Sequence, residues 1–486
     1  MTETIKTNTF FSILWSILSK WSSKLIGMAS TMVLARLLTP ADFGIIALAT
    51  IVIAFLDSIT DAGLNLYVLR QKKDDSSIFD TAWTLGVIQG FLIAVPLVIG
   101  APWIADFYNQ GALQEVIYCL ALARILQSFN SLGIIVAQKH LNFKIEFTFT
   151  LITRLSYLVS TVGFALYFQS FWALVLGQLV SAVVGCAVSY WVHPFRPKFC
   201  LQHWREMLRF STHTVPFSFG RYINNQLDVA VIGRVAMAEF VGLYHVAVNL
   251  ATLFTKELLI PVIRGLIPNI SVQKDSDNFN QILVTTFAAA VYVFLPIGIG
   301  LSMISYEFVK VILGSQWSAA APMLSWFSLH AMLAGLMMFF SEQFLVILDK
   351  EPLSNKLMWL RNVLLIITLA ITLSFYDVFA LPFALFICSL ASLPFVLVVI
   401  SRALQLSITS LLASWWPAML SVSVMAYVVS VVPAVYGSVI VTLLLKVSSA
   451  ALVYLSCLLA LFWLRGKPTD SLEQMLLSRI KQQFSR

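Results

Sequence analysis

Runs of about twenty apolar residues, each closed by a short polar break, recur along the chain from residue 10 to residue 464. A helix rises 1.5 Å per residue, so each run is long enough to cross a hydrocarbon layer about 30 Å thick. The pattern predicts fourteen membrane-spanning helices, near 10–36, 42–69, 82–106, 112–138, 147–167, 170–192, 212–234, 240–267, 283–305, 321–347, 357–375, 378–401, 414–434 and 438–464. The longest polar stretch, 465–486, is too short for a soluble domain. The expected class is an all-α polytopic membrane protein.

Composition agrees. Hydrophobic residues make up 59% of the chain, charged residues 11%, and the mean hydropathy is +0.88. A soluble chain carries about 25% charged residues. Residues 1–9 are polar, and the apolar stretch after them is too long and too charged for a cleaved signal peptide. The five cysteines have no metal or redox spacing and read as isolated apolar residues. No cofactor is expected, and no nucleic acid. The net charge of +8 sits beside the membrane helices, where the orientation rule accounts for it.

With the N-terminus in the cytoplasm, 19 of the 31 Lys and Arg residues fall on cytoplasmic segments, three (Arg36, Arg234, Lys310) on the other side and nine within spans. That asymmetry places both termini in the cytoplasm of a multi-pass inner-membrane protein. External connections such as 107–111 and 376–378 are too short to hold an acid or base for glycosyl transfer, so an enzyme is not expected. The largest, 306–320, reads as a short interfacial helix. The basic, aromatic segment 193–210 suits a linker, and 471–484 places Leu472, Met475, Leu476 and Ile480 on one face of an amphipathic helix for the anionic inner leaflet.

An internal repeat organises the spans. ARLLTPADFG (35–44) at the first hairpin matches GRVAMAEFVG (233–242) at the seventh. Arg36 aligns with Arg234, Asp42 with Glu239, Phe43 with Phe240 and Gly44 with Gly242. The expected layout is a six-helix lobe at 1–192, a cytoplasmic linker at 193–211, a second lobe at 212–402, an appended helix pair at 403–464 and a cytoplasmic tail at 465–486.

Charges inside these spans carry the candidate chemistry, because an ionised group at bilayer depth costs about 2.5–3.5 kcal/mol or more. Lys20, Lys24, Arg124, Arg154, Arg221 and Lys256 are the candidate cations; Asp57, Asp61, Asp228 and Glu257 are the carboxylates; Asn224 and Asn225 are either sugar contacts or polar helix contacts. Lys20 and Asp57 lie level across the first hairpin, so a pair between them is open. Arg154 is read near the start of its span. Arg264, Arg361 and Lys446 are expected to snorkel to the surface. Pro216, Pro261 and Pro296 are expected to kink their helices.

ARLLTPADFG followed by DAGLN (61–65) resembles the polysaccharide transporter family of the multidrug/oligosaccharidyl-lipid/polysaccharide (MOP) flippases. NNQLDVAVIGR (224–234), QKHLNFK (138–144) and LGSQW (313–317) strengthen the resemblance, which is nearest the colanic-acid type of exporter. It implies a V-shaped bundle of two six-helix lobes and alternating access. It implies transfer of an undecaprenyl-diphosphate-linked oligosaccharide to the outer leaflet for exopolysaccharide or O-antigen synthesis. The cations above would neutralise the diphosphate, and the carboxylates would bind a coupling H+ or Na+. Implied partners are the lipid-linked substrate, membrane lipids and the polysaccharide polymerase and export machinery, with the chain itself a monomer. The alternatives are a multidrug antiporter, against which the excess of basic over acidic residues argues, a membrane polymerase or ligase of the same pathway, and a non-transport scaffold.

Overall fold

The computed structural model describes residues 2–61, 63–71, 75–257, 279–347, 349–433 and 438–466. Every regular element among them is helical. The chain divides into two compact units, Met1–His245 and Val246–Arg486. Among the described residues, eleven helices are long and apolar enough to cross a membrane, twelve if one bent pair counts as a single span. Two more, of 36 and 32 residues, have the length but are too polar to qualify; they are the helices that carry Lys20, Lys24, Arg221 and Asp228.

The first unit contains α1 (Thr2–Leu37), α2 (Pro40–Thr60), α3 (Leu64–Arg70), α4 (Ser76–Phe107), α5 (Ala112–Ser128), α6 (Gly133–Lys139), α7 (Phe143–Phe168), α8 (Trp172–Val192), α9 (Trp204–Val235) and the first half of α10 (Ala238–Thr252). Two expected spans are broken. The second splits into α2 and α3 at Gly63, which sits at φ +58, in the left-handed region where a side chain is strained. The fourth splits into α5 and α6 with a 52° bend. The seventh is longer than expected: α9 begins at Trp204, so its first two turns come from the segment read as linker. It runs through Pro216 without a break, and Pro261 lies outside the described residues.

The first hairpin shows why its motif reads as it does. Thr39 caps α2: its backbone N–H donates to the Asp42 carboxylate at 2.9 Å and its hydroxyl donates to the same oxygen at 2.6 Å. Pro40 occupies the first helical position, where a missing N–H costs nothing. The second Asp42 oxygen accepts from the Phe171 backbone N–H at 2.8 Å, which fixes the start of α8. Asp42 is buried, so all three bonds form away from water. From this turn α1 and α2 diverge. α1 packs along α7, whereas α2 packs on α9 and α5.

The aligned glycines of the repeat meet each other. A Cβ on Gly44 would lie 1.8 Å from the Ala238 carbonyl oxygen, and one on Gly242 would lie 1.8 Å from the Pro40 carbonyl oxygen. The starts of α2 and α10 therefore cross backbone to backbone, a contact only glycine permits.

The segment 193–200 is extended and pinned to α4. The Lys198 N–H donates to Asp80 at 3.0 Å and the Cys200 N–H to Thr84 Oγ1 at 3.0 Å. At its start His193 Nδ1 accepts from the Phe195 N–H at 3.1 Å, and its ring lies where a Cβ on Gly133 would be. Burial, with His140 and Arg196 nearby, holds the His193 pKa below its usual 6.5. The unfolded chain thus binds more protons here than the folded one, and stability falls as pH drops through 6.5. The segment is expected to gain protease sensitivity on acidification. His193→Asn, whose Oδ1 replaces Nδ1 as acceptor, is expected to lose that dependence; cleavage rates above and below the imidazole value measure both.

The second unit contains the rest of α10, a π-helical turn at Leu253–Glu257, α11 (Phe279–Met303), α12 (Ser305–Ile312), α13 (Ala320–Met338), a second π-helical turn (Phe339–Gln343), α14 (Phe344–Ile347), α15 (Glu351–Phe375), α16 (Leu381–Leu404), α17 (Ile408–Val431) and α18 (Val439–Leu464). Its core mixes aliphatic side chains with aromatic rings; Phe340 stacks on Trp415 at 5.8 Å and meets Phe287 edge-on at 4.7 Å. α11 continues through Pro296.

One sequence expectation fails in this unit. Lys446 does not snorkel. Its Nζ lies 2.6 Å from Glu307 Oε1, and both side chains are largely buried. The short helix expected in 306–320 is α12, which buries Glu307, Phe308 and Val309 on one face and exposes Tyr306, with Trp317 just beyond it fully buried. The pairing follows from α17 and α18 packing onto the unit rather than hanging from it. The Tyr454 hydroxyl donates to the Tyr292 carbonyl oxygen at 2.7 Å, and α17 lies against α11. The predicted tail helix at 471–484 and Arg264 lie outside the described residues.

Candidate functional site

The charged residues singled out in the sequence fall into separate settings, and the exposed ones are Lys24 on α1, Arg154 on α7 and Arg221 on α9. Lys24 is exposed on α1 and Lys20 partly so, one turn away on the same helix. On α9, Phe217, Arg221 and Asn225 recur every four residues and form one exposed stripe. The Arg221 guanidinium lies 5.7 Å from the centre of the Phe217 ring, a cation–π contact that holds the head group without neutralising it. Asn225 Nδ2 donates to the Arg221 carbonyl oxygen at 2.9 Å, so its amide oxygen remains an acceptor. Asn224 is half-buried beside it.

Asp57 pairs with Arg124, not with Lys20. Arg124 Nη2 on α5 lies 2.6 Å from Asp57 Oδ1 on α2, with the side chains 25% and 40% exposed. The spacing expected Lys20 and Asp57 to lie level across the hairpin, but α1 packs along α7 while α2 packs on α9 and α5. Arg124 Nε is buried and has no hydrogen-bond partner among the described residues. The pair is therefore partly wet and keeps an unused donor.

Two other carboxylates brace the fold. Asp61 caps the broken end of α2. Its carboxylate accepts from the Gly63 N–H at 2.9 Å and the Ser218 hydroxyl at 2.7 Å, and its carbonyl oxygen accepts from Thr214 at 3.2 Å. It thus ties the α2–α3 corner to α9. Asp228 accepts from the Tyr244 hydroxyl at 2.8 Å, joining α9 to α10. Lys256 and Glu257 fall in the first π-helical turn, and their side chains lie outside the described residues.

Arg154 is apart from all of these. It is the twelfth of 26 residues in α7, at mid-helix and not near the start of the span, because α7 begins at Phe143. It lines a cleft formed with α1 and α8. A second cavity, of about 270 Å³, lies between α2, α4 and α9 and is walled by Phe55, Trp103, Phe107 and Tyr222. It has no charged lining and suits an apolar chain.

Sequence reasoning missed Tyr244 and Ser218 as carboxylate partners. The repeat held a signal for the first: Tyr244 lies two residues after the aligned Gly242, on the helix that crosses α2. Nothing local marked Ser218, whose role comes from α9 lying across the α2–α3 corner.

A family model described as polysaccharide biosynthesis protein matches residues 33–322. The succinoglycan biosynthesis transport protein ExoT of Rhizobium meliloti (strain 1021) is 25% identical over 328 residues, covering 67% of this chain and 66% of its own. The lipopolysaccharide biosynthesis protein WzxC of Escherichia coli (strain K12) is 26% identical over 334 residues, 66% of each chain. These matches span about two thirds of the relatives' length. Among solved structures, the lipid II flippase MurJ in its inward closed conformation aligns with a TM-score of 0.66 at 15% identity, over 93% of this chain and 99% of that one, a likeness of fold.

Proposed function

Since this chain belongs to the polysaccharide biosynthesis protein family, we propose that it is a flippase, not an enzyme, that carries an undecaprenyl-diphosphate-linked oligosaccharide from the cytoplasmic to the periplasmic leaflet by alternating access. The product feeds an exopolysaccharide of the colanic-acid kind or an O-antigen. Both termini are cytoplasmic in this reading, so the 38–39 turn and the Gly44–Gly242 crossing lie at the periplasmic end.

The observation that carries it is the polarity of α1 and α9. Two helices long enough to span the bilayer keep lysine and arginine exposed along their length, where hydrocarbon would penalise them. A diphosphate brings negative charge to such a surface, and a cation–π-braced arginine offers its free edge in a fork that matches phosphate oxygens. Asn225 and Asn224 supply neutral groups for sugar hydroxyls. Basic residues outnumber acidic ones here, which favours an anionic headgroup over a cationic drug.

Coupling to H+ or Na+ is proposed at Asp57, Asp61, Asp228 or Glu257. Asp57 is the leading choice: it is the partly wet member of a charge pair, so binding a proton would release Arg124 for the substrate.

Lys24→Ala and Arg221→Ala are each expected to lower translocation about tenfold or more, with membrane insertion intact, because one charge-assisted phosphate contact is worth about 1.5–3 kcal/mol. Outer-leaflet appearance of the lipid-linked oligosaccharide in reconstituted vesicles measures this. Unchanged rates in both variants sink the reading. Asp57→Asn is expected to remove the pH or sodium dependence of the same assay.

A further inference from the structure

The cleft between α1, α7 and α8 is not explained by packing. It has a volume of about 200 Å³, room for about six waters at about 30 Å³ each, and is lined by Gly27, Ser30 and Thr31 of α1, Arg154 and Tyr157 of α7 and Leu174 of α8. Ser30 is 3% exposed, yet its hydroxyl has no hydrogen-bond partner among the described residues. Such a group normally finds one, in protein, water or a ligand. Thr31 donates to the Gly27 carbonyl oxygen at 3.0 Å, so its hydroxyl proton is already used within α1. Arg154 stands exposed at mid-helix, at the cleft's edge, with no ion pair to any described carboxylate. A guanidinium so placed, in a membrane protein, calls for a counter-charge. Gly27 adds the access: a Cβ there would meet nothing within 4 Å.

We propose that this cleft is an oxyanion subsite, in which Arg154 forms a forked pair with one carboxylate or phosphate group of the translocated molecule and Ser30 donates a further hydrogen bond. This rests on the flippase reading above but assigns a place separate from the Lys24 and Arg221 surfaces. The anion has two possible sources, an acidic substituent on the oligosaccharide or the diphosphate of the lipid carrier. Both present paired oxygens to the fork.

The cleft can be tested without substrate. In full-length protein with its five cysteines replaced, Gly27→Cys places a thiol in the open space. We expect a negatively charged sulfonatoethyl methanethiosulfonate to react about tenfold faster than a trimethylammonioethyl reagent of similar size, because Arg154 concentrates the anion. Arg154→Gln in the same background is expected to abolish the preference, and Arg154→Lys to keep it. Equal reactivity of the two reagents, or no reaction with either, overturns the subsite whatever the fate of the flippase reading. The two sources are then separated by protection. Undecaprenyl-diphosphate-linked oligosaccharides are compared with and without a uronic acid reduced to its alcohol. Protection by the acidic form alone assigns the sugar acid, and equal protection assigns the diphosphate. No protection by either, in protein that still translocates both, overturns the proposal and leaves the flippase intact.

Discussion

Gly44→Ala is expected to disable transport although it adds a single methyl group. The new Cβ would sit 1.8 Å from the Ala238 carbonyl oxygen, so the starts of α2 and α10 must separate by more than 1 Å. The obstacle is backbone, which has no rotamer to give. Overpacking of this kind costs about 1–3 kcal/mol, and the cost falls only on the state in which the two helices cross. A carrier that alternates would therefore shift toward the state with this end apart, by about 5- to 150-fold. Gly242→Ala meets the Pro40 carbonyl oxygen at the same 1.8 Å and is expected to act alike. Because both methyl groups wedge one crossing, the double variant should cost less than the sum. A cysteine at Leu48, one turn below Gly44 and buried, reports the change. It should become reactive from the periplasmic side in the alanine variants as translocation falls. Wild-type reactivity and transport in both would show that the crossing bears no load.

Lys446→Ala is expected to cost about 3–5 kcal/mol of stability, the usual result of leaving a buried charge without its partner. The Lys446 and Glu307 side chains are only 16% and 11% exposed, and their charged atoms lie 2.6 Å apart. Removing the lysine strands a carboxylate on α12 with little access to water. Lys446→Met combined with Glu307→Gln is expected to recover most of the loss, because neither charge then remains to be desolvated. Reversible unfolding in mixed micelles gives both numbers. A loss under about 1 kcal/mol for the single variant would place the pair with ordinary surface bridges. The same experiment tests whether α18 is part of the second unit's stability, as its contacts with α12 and the Tyr454–Tyr292 bond indicate.

The site was legible where a residue type was anomalous for its surroundings. Lys24, Arg221 and Arg154 stood out because charge is rare in apolar runs, and the structure leaves Lys24 and Arg221 exposed and Arg154 on a cleft. Partners were not legible. The hairpin spacing set Lys20 and Asp57 at one level, but depth does not fix which helices touch, and the helix touching α2 there is α5, which brings Arg124. Asp61 looked like a coupling carboxylate, yet most of its bonds brace a corner that exists because Gly63 breaks the helix. Lys446 looked like a snorkeling residue near a span end, and only the packing of α12 revealed Glu307 beside it.

The sequence by itself determined the class, the helices and the hairpin motif. Hydropathy is a local sum, and capping by Thr39, Pro40 and Asp42 involves neighbours within one turn. It also marked Gly44 and Gly242 as equivalent through the repeat. Only the tertiary structure showed that these two glycines touch, that Arg124 holds Asp57, and that Ser30 and Arg154 share one cleft. Those facts depend on which helix faces join across long stretches of chain, and in a bilayer every apolar face is equally content with lipid. Hydrophobic pattern therefore marks the stretches that are helical and apolar enough to span, while close packing and buried polar pairs decide which of them meet.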